Sequence, residues 1–111
     1  MASDPEFAEF AVGQFAPELD VTARKMFGEY GLYSGDVFFA MICDNHLFVK
    51  PTEGGRAFLG DEVDEAPPYP GARPSLRIGE ALEDGERLSE LARITVAELP
   101  PPKRKKRKTK G

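Results

Sequence analysis

The chain has 111 residues, a length that favours one domain with an adequate but not generous core. No apolar run approaches the roughly 20 residues that cross a bilayer, so we expect no contact with a membrane. The N-terminus lacks the basic start and apolar run of a signal peptide, and the single cysteine excludes an internal disulfide. These features predict a protein of the reducing cytoplasm.

The net charge of −4 conceals a strong asymmetry along the chain. Residues 1–102 hold all 19 acidic groups and eight basic ones, which gives that part a net charge of −11. Residues 103–111 hold seven basic groups and no acid. We therefore predict a folded acidic domain over residues 1–102 and a disordered basic tail over residues 103–111, because like charges cannot collapse.

The first predicted element is a helix over residues 3–16. Ser3 followed by Glu6 fits a capping box, and Pro17 ends the segment. Apolar residues recur at helical spacing on one predicted face, namely Phe7, Phe10, Ala11 and Phe15.

An antiparallel meander follows the helix. Aromatic and β-branched runs alternate with turn residues, which predicts strands over residues 21–27, 30–33, 37–43 and 46–50. Gly28 and Gly31 interrupt the pattern, and we expect a bend or bulge with positive φ there. Asp44 and Asn45 both tolerate left-handed conformations and fit a two-residue hairpin loop.

The second half of the chain is less regular. We predict a short helix over residues 52–59 with Thr52 as its cap, then an acidic loop or irregular edge over residues 61–66 and a turn-rich connector over residues 67–71. A short strand follows at residues 76–78. Asp84 then caps a last helix whose predicted buried face is Leu88, Leu91, Ala92, Thr95 and Leu99.

The two sides of the central hairpin differ in their predicted partners. With Asp44 and Asn45 in the loop, Ile42 faces Leu47 and Ala40 faces Val49, and that side, with Phe38, should lie under the helices. The other side is also apolar, although the helices suffice for one face only. We therefore predict a self-association surface there, leading to a homodimer, formed by Val37, Phe39, Met41 and Phe48. The alternative is that the connector, with Tyr69, folds over this side.

Candidate catalytic and metal-binding groups are sparse. His46 is a lone histidine at a turn with no evident nucleophile nearby, and Cys43 ends an apolar strand beside Asp44, which should raise rather than lower its pKa. The acidic loop lacks the spacing of a calcium site. We predict no catalytic residue, no metal and no cofactor.

The basic tail is the one segment with an evident physical activity, because it attracts polyanions. Without aromatic residues or a groove-reading helix it can contact DNA without reading its sequence. The alternative is a solubilising segment, or an intramolecular partner for the acidic body. The cations that would contact phosphates are Lys103, Arg104, Lys105, Lys106, Arg107, Lys108 and Lys110.

One stretch resembles a known family motif. It comprises Arg24, Lys25, Met26, Phe27 and Gly28, followed by Tyr30, Gly31, Leu32 and Tyr33. This stretch is similar to the R-[RK]-M-F-G-G-x-G-[LI]-Y pattern of the TfoX N-terminal domain family, whose namesakes regulate natural competence. The similarity extends from Phe7 to Leu99. Glu29 departs from the pattern, since it stands where the family has a second glycine.

The resemblance implies an α+β two-layer domain, with an antiparallel sheet of about four to five strands and helices at both termini packed on one face. It also implies a non-catalytic bacterial regulator, of the transcription coactivator type, that acts beside a DNA-bound transcription factor. Two alternatives stay open. One is a small-ligand binder or enzyme using the region of Arg24, Lys25 and Tyr30, and the other is a structural adaptor without nucleic-acid contact.

Overall fold

The computed structural model describes residues 3–26 and 28–99. Phe27 and the basic tail lie outside this part of the chain. In chain order the helices and strands are α1 (Pro5–Gly13), β1 (Val21–Met26), β2 (Glu29–Ser34), β3 (Val37–Cys43), β4 (His46–Val49), α2 (Glu53–Leu59), β5 (Glu65–Ala66), β6 (Ser75–Ile78) and α3 (Gly85–Glu98). No described helix is long and apolar enough to span a bilayer.

The strands form one antiparallel sheet in the order β1-β2-β3-β4-β6-β5. The predicted α+β class with helices at both ends is confirmed. The sheet has six strands rather than four or five, because Glu65 and Ala66 of the predicted acidic loop pair with β6. β1 is one edge of the sheet, and its four central residues are exposed.

The core lies between the sheet and the helices. Side chains alternate along the strands, so two rows of apolar residues cross the helix-covered face, hereafter the inner face. One row is Tyr30, Ile42, Leu47 and Ile78, and the other is Leu32, Ala40, Val49 and Leu76. Helix α3 covers them with Leu88, Leu91, Ala92 and Thr95, as predicted.

Two of the predicted helix caps are present. Thr52 accepts a hydrogen bond from the Gly55 N–H at 2.9 Å, and Asp84 accepts one from the Arg87 N–H at 3.2 Å. The predicted capping box of α1 is wrong, because Asp4 is the cap residue and makes no side-chain capping bond. The Ser3 hydroxyl instead accepts a hydrogen bond from the Asn45 N–H at 2.8 Å.

Helix α1 is also shorter than predicted and buries a different face. It ends at Gly13, and Ala8 and Ala11 are its buried residues. Phe15 lies beyond the helix and is buried, whereas Phe10 stays 47% exposed on the far side. The inclusion of Phe10 in the buried face was therefore wrong, and the smaller side chains let α1 approach the sheet.

The hairpin of β3 and β4 has the predicted register, with Ala40 opposite Val49 and Ile42 opposite Leu47. Its loop residues Asp44 and Asn45 have φ of 53° and 58°, the left-handed values that both residues tolerate. Gly28 also has positive φ, at 83°, in the turn between β1 and β2. Gly31 does not, and lies inside β2.

An irregularity in β3 changes the predicted faces. The pairing of β2 with β3 shifts after Leu32, which pairs with Ala40, so that Tyr33 pairs with Phe38 and Phe39 is the extra residue of a β-bulge. Phe39 is 0% exposed and its ring contacts that of Phe15, with centroids 5.5 Å apart. The placement of Phe39 on the outer face and of Phe38 on the inner face was therefore wrong.

The bulge predicts unequal costs for truncating the two adjacent phenylalanines. Phe39→Ala should lower the free energy of unfolding by about 3–5 kcal/mol, because it empties a buried volume. Phe38→Ala, the matched control, should cost about 1 kcal/mol, because its ring is half-buried on the outer face. Urea denaturation of both variants measures the difference. Equal costs, or a greater cost for Phe38→Ala, would contradict the bulge.

Candidate binding site on the outer face of the sheet

Part of the family motif lies on the outer face of the sheet, and part of it belongs to the core. Because side chains alternate along a strand, the β1–β2 hairpin places four motif residues on the outer face, namely Arg24, Met26, Gly31 and Tyr33. Tyr30 and Leu32 point to the inner face and belong to the core. Lys25 pairs with Tyr30 on that inner side, at the exposed edge.

Four outer-face side chains form a row across the sheet, hereafter the cation–aromatic row: Arg24, Tyr33, Phe38 and Lys50. The Arg24 guanidinium lies 4.4 Å from the centroid of the Tyr33 ring. Tyr33 stacks on Phe38 with centroids 5.2 Å apart, and the Lys50 Nζ lies 4.4 Å from the Phe38 centroid. The bulge makes this row possible because it turns Phe38 outward.

The two cations of this row differ from most others in the domain. Four arginines form ion pairs with carboxylates at 2.7–2.9 Å, and these pairs are Arg56–Glu65, Arg77–Asp64, Arg87–Glu62 and Arg93–Glu18. Among the described residues, no carboxylate forms an ion pair with Arg24 or Lys50. Burial also lowers the pKa of Lys50. Arg24 and Lys50 therefore place positive charge on the outer face of an acidic domain, and none of the described carboxylates pairs with it.

An apolar cavity of about 670 Å³, hereafter the outer groove, lies beside the row. Its walls combine strand residues with the connector: Met26, Glu29, Tyr30, Phe38, Met41, Cys43, Asp44, Pro68, Tyr69 and Pro70. The connector joins β5 to β6 yet reaches residues of β1 to β3, so it crosses the outer face over β6 and β4. Phe48 on β4 is consequently only 5% exposed.

The connector therefore takes up part of the predicted self-association surface. Phe39 is on the other face and Phe48 is buried, whereas Val37 and Met41 are only partly buried. Tyr69 of the connector is 53% exposed at the groove wall. The open part of this face is the outer groove itself, and self-association stays a prediction.

Gly31 makes room for the floor of the outer groove. A Cβ atom at this position would collide with the Met26 sulfur and would lie 3.0 Å from the Phe38 ring. The glycine of the motif is thus required for close packing and not for an unusual backbone angle. Met26 and Met41 then supply the groove with flexible, polarisable side chains that adapt to different shapes.

Glu29 closes the end of the groove that lies opposite the cation–aromatic row. Its carboxylate accepts hydrogen bonds from the Ser3 N–H at 2.9 Å and the Asp44 N–H at 3.1 Å. Burial alone would raise the pKa of Glu29, but these hydrogen bonds outweigh it and hold the pKa below its usual value. The one departure from the family pattern therefore joins the N-terminus to the β3–β4 turn.

The surroundings of Cys43 and His46 indicate structural roles for both residues. Cys43 is buried, and burial, with the nearby carboxylates of Glu29 and Asp44, raises its pKa to about 11. A thiol with such a pKa is a poor nucleophile at neutral pH. The exposed His46 has its Nδ1 2.8 Å from the Asp44 carbonyl oxygen.

Other candidate sites are dispersed in the structure. Within residues 3–26 and 28–99 no cluster of His, Cys, Asp and Glu side chains is suited to a metal ion. Of Arg24, Lys25 and Tyr30, the region considered for a small ligand, only Tyr30 lines the outer groove, and His46 does not line it either. The predicted tail residues from Lys103 to Lys110 lie outside the described residues. The contact between Lys50 and the Phe38 ring was not predicted from the sequence, because it depends on the bulge that turns Phe38 outward.

The Glu29 hydrogen bonds predict a pH-dependent contribution to stability. Because folding lowers its pKa, Glu29 should stabilise the domain above its unfolded pKa of about 4.3, and that stabilisation should disappear as the pH falls through the folded pKa. Glu29→Gln should lower the free energy of unfolding at pH 7 by about 0.5–1 kcal/mol, because the site is partly exposed.

Urea denaturation between pH 7 and pH 3 should show the difference from wild type shrinking toward the acidic end. Glu9→Gln is the matched control, since the Glu9 carboxylate makes no hydrogen bond with a described residue. A constant difference at every pH would contradict this role of the Glu29 carboxylate.

Comparisons with known proteins agree with the motif. A model of the TfoX N-terminal domain matches residues 13–99. A protein of Spirochaeta aurantia described as an uncharacterized 12.7 kDa protein in the trpE 5′ region is 41% identical over 110 residues, covering 99% of this chain and 95% of that protein. The match includes the strands that form the outer groove and the cation–aromatic row. The chain belongs to the TfoX N-terminal domain family.

Proposed function

We propose that this protein is a non-catalytic regulatory module that acts in transcription through contacts with another protein. The observation that carries the proposal is the position of four motif residues, Arg24, Met26, Gly31 and Tyr33, on the outer face of the β1–β2 hairpin. Arg24 and Tyr33 contribute little to the buried core, so we assign them to contact with a partner rather than to folding.

The chemistry of this surface supports contact with a protein. Stacked aromatic rings present a large rigid area at low entropic cost, and arginine is among the residues that dominate interface energies. The row joins both kinds of residue in one place, with Arg24 held on Tyr33 before any partner arrives. We propose a DNA-bound transcription factor as the partner, as the family resemblance implies.

A homodimer formed through the sheet is part of the proposal. The connector crosses the outer face, so the free edge of β1 is the part of the sheet that a second copy reaches most easily. This edge is six residues long, and no backbone hydrogen bond from another described segment covers it. An exposed edge of this length is suited to pairing with another strand.

The basic tail supplies a second contact in the proposal. Its seven cations follow a domain with a net charge of −11, which repels DNA, so affinity for DNA should come from the tail. The tail would hold the module near DNA without choosing a sequence. We place the protein in the bacterial cytoplasm, where a free cysteine such as Cys43 stays reduced.

The regulatory role predicts a change in transcription when the gene is removed. Deletion in the organism that encodes this protein should alter the transcript levels of a defined set of genes. Wild type should restore those levels, and the double variant Arg24→Ala, Tyr33→Ala should not. Lys25→Ala, the adjacent cation on the other face of β1, is the control and should restore them.

RNA sequencing of the parent strain, the deletion and the three complemented strains measures the outcome. No change in transcripts after deletion would contradict the regulatory role. Restoration by the double variant would contradict the part assigned to the outer face, provided that both variants accumulate to the wild-type level.

The tail contact predicts salt-dependent binding to duplex DNA. Full-length protein should bind labelled duplex with a dissociation constant of about 10⁻⁴–10⁻⁶ M, and the log–log salt slope should be about −6 if all seven charges contact phosphates. Residues 1–102 alone should not bind under the same conditions. Fluorescence anisotropy at several salt concentrations tests this. Equal binding by both proteins, or none by either at low salt, would contradict the proposal.

A further inference from the structure

The outer groove has the size and lining of a small-molecule site. Its volume of about 670 Å³ lies within the range of roughly 300–1,000 Å³ that such sites occupy. Two methionines, an aromatic wall at Phe38 and the connector prolines make most of its surface apolar. Few polar groups reach it, which is also typical of a site that recognises a mainly apolar ligand.

Charge is distributed unequally between the two ends of the groove. Phe38 forms the wall at one end. Lys50 and Arg24 do not line the groove, but the Lys50 Nζ lies 4.4 Å from the centroid of the Phe38 ring, and Arg24 lies further along the same row. Glu29 and Asp44 line the other end. Phe38 and Cys43 lie on one strand with the bulge between them, so the ends are separated by about 13 Å along the strand.

Lys50 is the group that most needs an anionic partner. Its side chain is half-buried, and loss of hydration lowers its pKa. The Phe38 ring compensates only in part, because a cation over an aromatic face interacts more weakly than a desolvated ion pair does. Four arginines elsewhere in the domain pair with a carboxylate, whereas none of the described carboxylates pairs with Lys50.

We propose that the outer groove binds a small amphipathic carboxylate. The apolar body of the ligand lies on Met26 and Met41 against Tyr69, and its carboxylate meets Lys50 at the end where Arg24 adds positive charge. Glu29 and Asp44 repel a carboxylate from the other end and so set the direction of the ligand. This inference goes beyond the proposed regulatory function, because it concerns a ligand and not a protein partner.

The probe for the test is 4-phenylbutyrate, an aromatic body joined to one carboxylate. Its neutral and cationic counterparts, 4-phenylbutanol and 4-phenylbutylamine, are the matched ligand controls. Full-length protein labelled with ¹³C at the methionine methyl groups reports occupancy by NMR, since Met26 and Met41 line the groove. A dissociation constant of about 1 mM is expected for a ligand of this size.

The expected result is saturable movement of the Met26 and Met41 methyl signals with 4-phenylbutyrate. The amine can place its ammonium group at Glu29 and Asp44 instead, so its affinity should not fall in Lys50→Gln. Lys50→Gln should weaken binding of the carboxylate by about tenfold and leave the affinity for the alcohol unchanged. Lys25→Gln, a cation change on the opposite face, should alter neither.

Three results would overturn the inference. The first is the absence of saturable shifts at Met26 and Met41, and the second is an equal loss of affinity for the acid and the amine in Lys50→Gln. The third is an equal loss in Lys50→Gln and Lys25→Gln while both variants keep the wild-type spectrum. None of these bears on the transcript measurement, so failure of the ligand site is distinguishable from failure of the regulatory function.

Discussion

The bulge at Phe39 is the constraint on which both faces of the domain depend. It allows two consecutive aromatic residues of β3 to be used on opposite sides of the sheet. Phe39 completes the core against Phe15, and Phe38 stacks on Tyr33 outside. With regular alternation the ring between Tyr33 and Lys50 would be missing. The cation–aromatic row and the wall of the outer groove therefore both follow from one extra residue in a strand.

Much of the fold was predictable because its signals are local. The left-handed tolerance of Asp44 and Asn45 set the register of the central hairpin, and Thr52 and Asp84 marked the starts of two helices. The bulge was not predictable in this way, because it depends on how β2 and β3 fit each other and on what Phe15 offers beneath them. The exposure of Phe10 was not predictable either, because its spacing from Phe7 and Ala11 in a short helix is compatible with the buried or the exposed side.

The candidate site was predictable only in part, for a related reason. Alternation along β1 and β2 shows which motif residues share a face, but the path of the connector over that face is a long-range contact. Hydropathy indicated that the second face needs a cover, but it left open whether a second copy or the connector over residues 67–71 provides it. Glu29 was visible as a departure from the family pattern. Its hydrogen-bond partners were not predictable, because Ser3 and Asp44 are distant from it in the sequence and close only in space.

The two edges of the sheet are unequal, and this limits how copies can assemble. β1 offers six residues at one edge, whereas β5 at the other has only two. Strand addition at β1 alone joins two sheets about a twofold axis and then stops, because neither remaining edge is long enough to recruit a third. A continuous fibre needs two competent edges on every protomer. Because β5 has only two residues, β1 is the one edge of the described sheet that suits strand addition, and assembly through edges would end at a pair.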